Sequence, residues 1–245
     1  GGKGALSTFA SESPIYRIGG GAGAGTSFKF GGLNKLIGPS TITLGYLAGN
    51  ANNPNEGNGL FDGNYAALAQ GNIAIGDTVN FGLTYVNAYF DELTPTFNAG
   101  GSSAVVGTTQ ANAVGQRKQT NTYGGEVTWK VSDKINVSGF FAYQDLDFKT
   151  TGASDEVWTY GGGVAFPDLG KEGNVLGIFG GSQPYLGSAS KGGNGAVPLH
   201  VEAFYKYKLN DNISITPGVV WLSNPDQNEN NDDEIIGTLR TTFTF

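Results

Sequence analysis

Ile235-Ile236-Gly237-Thr238-Leu239-Arg240-Thr241-Thr242-Phe243-Thr244-Phe245 closes the sequence on a two-residue period. One parity carries Ile235, Leu239, Phe243 and Phe245; the other carries Thr238, Arg240, Thr242 and Thr244. Successive side chains of a strand point to opposite faces, so the stretch predicts a β-strand with one apolar and one polar face. The pattern recurs at 121–131, where Tyr123, Val127, Trp129 and Val131 alternate with Thr122, Glu126, Thr128 and Lys130. It returns at 199–209, with Leu199, Val201, Tyr205, Tyr207 and Leu209 against His200, Glu202, Lys206 and Lys208. Further strands are predicted at 15–30, 41–48, 64–75, 78–90, 135–145, 157–166, 174–182 and 212–221. That makes about eleven strands, with no convincing helical period anywhere.

The connections order these strands. Residues 33–40, 75–77, 132–134, 167–173 and 210–212 are tight or Gly/Pro-rich turns, whereas 49–63, 91–121, 146–156, 183–198 and 222–234 are long and polar. Short and long alternate along the chain, as in an up-and-down meander with all its turns at one end. Composition agrees. Glycine accounts for 41 of 245 residues, and charged residues for 14%, against about 7% and about 25% in ordinary proteins. The 12% aromatic content argues against a disordered glycine-rich chain. No apolar run approaches the ~20 residues of a transmembrane helix. The lack of cysteine removes disulfide scaffolds, thiolate metal sites and thiol nucleophiles.

A soluble barrel points its apolar parity inward, and an outer-membrane barrel points it at lipid. Three features favour the membrane form. Charges sit mid-strand on the polar parity: Arg17, Lys29, Glu126, Lys130, Glu202, Lys206 and Arg240. Aromatics mark strand ends on the apolar parity, at Tyr123, Trp129, Tyr143, Trp158, Phe166, Tyr207, Trp221 and Phe245. Such girdles lie at the two lipid interfaces. The last strand also ends on an aromatic of its apolar face. The expected fold is therefore an all-β, transmembrane, antiparallel up-and-down barrel. With short turns on the periplasmic side, Phe245 is periplasmic and residue 1 extracellular. Bacterial barrels have even strand numbers, so the sequence is expected to be the C-terminal part of a longer barrel.

The stretch Val201-Glu202-Ala203-Phe204-Tyr205-Lys206-Tyr207-Lys208-Leu209-Asn210-Asp211-Asn212-Ile213-Ser214-Ile215-Thr216-Pro217-Gly218-Val219-Val220-Trp221 resembles the penultimate hairpin of cyanobacterial outer-membrane porins. These carry an N-terminal S-layer-homology domain and belong to the carbohydrate-selective porin family. Gly237-Thr238-Leu239-Arg240-Thr241-Thr242-Phe243-Thr244-Phe245 resembles that family's final strand, and Tyr123-Gly124-Gly125-Glu126-Val127-Thr128-Trp129 is similar to an inner one. The resemblance covers most of 14–245. It implies a barrel of about sixteen strands, a trimer, and passive diffusion of ions and small hydrophilic solutes. It implies no cofactor, no catalysis and no nucleic-acid partner. Cell-wall polysaccharide would be bound through the S-layer-homology domain, which this sequence does not contain.

Several residues are singled out for function. The formal charge of −7 gathers in the long connections, leaving the strand wall net basic. The expected pore lining is Arg17, Lys29, Glu126, Lys130, His200, Glu202, Lys206, Lys208 and Arg240, with a mild anion preference; pairing of these charges with neighbours would cancel it. The 91–121 connection is long enough to fold into the lumen or to stay external. Folded inward, it offers Arg117 and Lys118 at a constriction, with Asp91 and Glu92 at its base. Asp226, Asn228, Asn230 and Asp232 are a weak Ca²⁺ candidate, since the run lacks the sixth-position glycine of an EF-hand; a solvated acidic loop is the plainer reading. His200 is the single histidine, a polar wall residue rather than part of a metal cluster or a Ser-His dyad. The small stripe Gly20, Ala22 and Ala24 reads as a lipid-facing subunit contact or a kink, and Pro217-Gly218 as a bulge. A structural outer-membrane barrel with little conductance is the alternative function.

Overall fold

The computed structural model describes residues 4–32, 37–187 and 196–245. Lys3, Lys35 and Lys191 lie outside them. Eleven strands form one sheet in chain order. They are β1 (Ala22–Phe30), β2 (Ile37–Ala48), β3 (Tyr65–Ile75), β4 (Val79–Phe90), β5 (Lys118–Ser132) and β6 (Ile135–Phe148), followed by β7 (Ser154–Pro167), β8 (Val175–Leu186), β9 (Leu199–Lys208), β10 (Ile213–Ser223) and β11 (Glu234–Phe243). All neighbours are antiparallel. The predicted all-β meander is the observed one.

The departures have local causes. The first strand begins at Ala22 instead of residue 15. Before it, the Ser7 hydroxyl accepts from Ala10 N–H and caps a one-turn helix, α1 (Thr8–Ser11). Pro14 then starts a 3-10 turn (Pro14–Arg17), where its missing N–H costs nothing. Gly19 and Gly21, at φ +71° and +110°, re-aim the chain into β1. Arg17 is therefore not a strand residue. One-turn helices also interrupt two connections, α2 (Gly59–Asp62) and α3 (Thr109–Asn112). β5 starts at Lys118, which shortens the longest connection to 91–117. β6 and β7 run past their predicted ends because Asp145 pairs with Glu156 and Asp147 with Ser154 in the ladder. Only 149–153 remain of that loop, so the alternation of short and long is less strict than the sequence implies. No bulge forms at Pro217-Gly218. Pairing with β9 lapses at Thr216 and Pro217 and resumes in register at Gly218, as proline's absent ladder donor requires.

The two faces differ. One exposes Phe81, Leu83, Tyr123, Val127, Trp129, Phe141, Val201, Tyr207 and Leu239. The other is covered by residues 4–20 and by the 91–117 connection. Phe9 packs edge-on against Phe140, Phe179 and His200 with ring centroids 5.2 to 5.7 Å away. Those rings come from β6, β8 and β9, which a flat sheet would keep about 14 Å apart across; the covered face is concave. β1 and β11 each have a single strand neighbour among the described residues. Being the first and eleventh of an alternating series, they run in the same direction. An antiparallel closure of this sheet therefore requires an odd number of further strands.

Candidate functional site

The concave face is crossed at mid-height by a strap, residues 4–20. Its first peptides are held by charges. The Arg240 guanidinium on β11 donates to the carbonyls of Gly4 and Ala5, both at 2.8 Å. The Glu202 carboxylate on β9 accepts the N–H groups of Leu6 and Ser7. Phe9 fills the aromatic nest of β6, β8 and β9. Ile15 then lies over Gly124 of β5, and Tyr16 joins Gln70 of β3 and Thr84 of β4 through hydrogen bonds. Gly19 passes Ala66 of β3, where a Cβ would come within 2.7 Å of the alanine methyl. The strap thus touches the wall from β11 to β3. Phe9, Ile15 and Ile18 belong to the buried cluster, and the Arg17 guanidinium pairs with Glu12 inside the strap.

Above the strap, at the end bearing the long connections, residues 91–117 pack onto the same face. Phe97, Val106, Ala111 and Ala113 are buried with Phe90, Leu146, Val157 and Leu186 of the wall. Asn112 organises this connection: its side chain accepts Phe97 N–H and donates to the Val106 and Thr108 carbonyls, each at 3.0 Å. Outer ties run from Gly107 N–H to Gln183, from Thr108 N–H to Pro184 O and from Thr109 N–H to Asp226. Ala99 N–H donates to Arg17 O, joining connection and strap.

The four residues expected at a constriction have separate roles in this packing. Lys118, fully buried, donates to the carbonyls of Thr94 at 2.7 Å and Ala113 at 3.0 Å. Asp91 accepts from the Asn64 amide and the Leu93 N–H. Burial pushes its carboxyl pKa up, but hydrogen bonds from Thr94, Asn64 and the Leu93 and Thr94 amides outweigh that and hold it below the ordinary carboxylate value. Glu92 and Arg117 form an exposed pair at 3.3 Å.

Lys29, Glu126, Lys130, His200, Glu202, Lys206, Lys208 and Arg240 all stand on the concave face, as the cross-strand register requires. Their surroundings differ. Lys130 and Lys208, next to the short turns, pair with Asp133 and Asp211, each at 2.7 Å; both aspartates are held below their usual pKa by these lysines. Lys29 and Lys206 have no ion pair among the described residues. His200 meets both Ser7 Oγ, at 3.3 Å, and Glu202, at 3.5 Å, through the same Nε2. A relay needs the carboxylate on the other ring nitrogen, and here Gln183 faces Nδ1.

On the convex face, Tyr123, Tyr143 and Trp158 are cross-strand neighbours, and Tyr85 and Tyr185 extend the row over β4 to β8. Trp129, Phe166 and Tyr207 lie toward the short turns, with Trp129 six residues and about 20 Å along β5 from Tyr123. Trp221 donates to Asp233, and Phe245 follows the end of β11. Ala22 and Ala24 sit on β1, but Gly20 abuts the Gly100 backbone and faces no lipid. In the 226–232 run, Asp226 is turned to Thr109 and Asn228 accepts from Asn230 N–H. Among the described residues no three His, Cys, Asp or Glu side chains converge.

A family model described as "Carbohydrate-selective porin, OprB family" matches residues 3–245. Uncharacterized protein alr4550 of Nostoc sp. is 52% identical over 248 residues, which cover 100% of this chain and 43% of the relative. Uncharacterized protein sll0772 of Synechocystis sp. is 33% identical over 265 residues, with 98% and 46% covered. The chain thus spans about half the length of the curated relatives it matches. No solved structure matches it. The chain belongs to the carbohydrate-selective porin family of OprB type.

Proposed function

We propose that this chain forms most of the wall of an outer-membrane channel for passive diffusion of ions and small hydrophilic solutes, carbohydrates among them. The observation that carries the reading is the opposition of the two faces. The convex face is apolar and banded by aromatics, while the concave face is polar toward the short turns and narrowed above by strap and connection. Lipid contact suits the first and water the second. The short turns would face the periplasm, with Phe245 on that side. Closure to about sixteen strands takes five more, an odd number, as the antiparallel seam requires. A trimer and wall anchoring through a domain outside this chain complete the proposal. Lys29 and Lys206 leave the wet part of the wall with a mild anion preference, weakened by the turn-bound pairs of Lys130 and Lys208.

The full-length protein in a planar bilayer is expected to give stepwise conductance, to let small sugars swell liposomes, and to show an anion-leaning reversal potential in a salt gradient. Cation selectivity would remove the charge assignment alone. A folded, inserted but silent protein would remove the channel and favour a structural barrel linking membrane to wall. The density of packing around Phe97 and Phe9 gives that second reading its support.

A further inference from the structure

We infer that Glu202 and Arg240 are positioning residues that clamp residues 4–7 of the strap against the wall and thereby set the width of the passage; the inference rests on the channel reading above. Four consecutive strap residues are held by two side chains of opposite hydrogen-bonding character. A guanidinium only donates and a carboxylate only accepts. Arg240 takes the carbonyls of Gly4 and Ala5, and Glu202 takes the next two N–H groups, those of Leu6 and Ser7. Every residue offers both groups, so the four contacts fasten the backbone of 4–7 to the wall, and its register comes from the side chains packed around it. Glu202 has no solvent exposure, so with the strap in place its charge rests on these two amides and on His200.

The wall is shaped to the same register. A Cβ on Gly218 would lie 2.4 Å from Leu6 Cδ1, and one on Gly124 would lie 2.9 Å from Ile15 Cδ1. Neither glycine has a positive φ, so the bare position at Gly124 serves the close approach of the strap and not a turn. A Cβ on Gly218 would also lie 2.8 Å from the Ala203 carbonyl oxygen, so part of its need comes from the sheet itself. The charged contacts sit at one end of the strap and the Ile15 contact near the other. Breaking the clamp would loosen residues 4–7 while Phe9 and Ile15 keep the rest in place.

The test uses the full-length protein, with folding of each variant checked by heat-modifiable mobility. Glu202→Gln and Arg240→Ala are each expected to raise single-channel conductance by roughly twofold through a wider passage, whereas Arg240→Lys, which keeps charged donors, restores the wild-type value. A second readout needs no conductance. Ala5 is buried between the two clamp contacts, so Ala5→Cys, with any cysteine outside this chain replaced, should resist a water-soluble thiol reagent until Arg240→Ala is added. Unchanged conductance in both clamp variants of a conducting protein, or equal thiol reactivity with and without Arg240, would overturn the inference. A silent wild-type protein in which Ala5→Cys still becomes reactive would overturn the channel reading and leave the clamp standing.

Discussion

Lys118 and Lys130 stand twelve residues apart on the same face of one strand, β5, and share almost nothing else. Lys118 is fully buried, with its ammonium on the carbonyls of Thr94 and Ala113. Lys130 is more than half exposed and pairs with Asp133 of the adjoining turn. The contrast runs through the whole concave face. Toward the long connections it is a dry interior shared with strap and connection; toward the short turns it is an open polar wall. Alternation along a strand reports which residues share a face. It does not report what covers that face.

Breaking the packed half should have the larger effects. Phe9→Ala removes the strap's ring from the nest of Phe140, Phe179 and His200. Large-to-small changes of this kind cost about 3–5 kcal/mol, to be read as lost hydrogen-exchange protection over 4–18. Lys118→Met should loosen 91–117 by about 1–3 kcal/mol, the cost of orphaned buried acceptors, read as exchange protection of that connection. Lys130→Ala, on the open half, should leave both segments at their wild-type protection, since exposed pairs hold little.

A further small effect on the packed half is one of pH. The folded-state pKa of Asp91 lies below its ordinary value, so the support it lends is complete above the unfolded pKa of about 3.9 and lost as pH falls through the folded value. Exchange at 91–94, corrected for intrinsic rates, should stay flat from pH 7 to about pH 5. It should rise only in stronger acid.

Much of this contrast was legible in the sequence, and its missing part has a physical reason. The strands of 121–131 and 199–209 could be read because one face meets a uniform environment, which enforces a period of two. Residues 15–21 carry no such period. Their conformation is decided by distant partners, namely Gly124, Thr84 and Ala66, and so they passed for the start of β1. One signal was present: in Asn80-Phe81-Gly82-Leu83-Thr84-Tyr85-Val86-Asn87-Ala88-Tyr89-Phe90 the otherwise polar even parity turns apolar from Val86 on, as expected where that face is covered as well. The even positions Val86, Ala88 and Phe90 are the ones buried under the packed segments. The charges of the polar parity were placed on the right face, but not their partners, because Asp133 and Asp211 belong to turns whose geometry the alternation does not describe.

The claim beneath all of this is that, toward the short turns, the concave face is wet and the convex face meets lipid. Val127 and Thr128 are adjacent on β5 and point to opposite faces, and this chain carries no cysteine to confuse a label. Single cysteines at these positions, in full-length protein embedded in membranes, can be exposed to a membrane-impermeant thiol reagent small enough to enter a channel. Rapid labelling of Thr128→Cys with Val127→Cys protected is the predicted result. The reverse pattern, or equal labelling of both, would contradict the account.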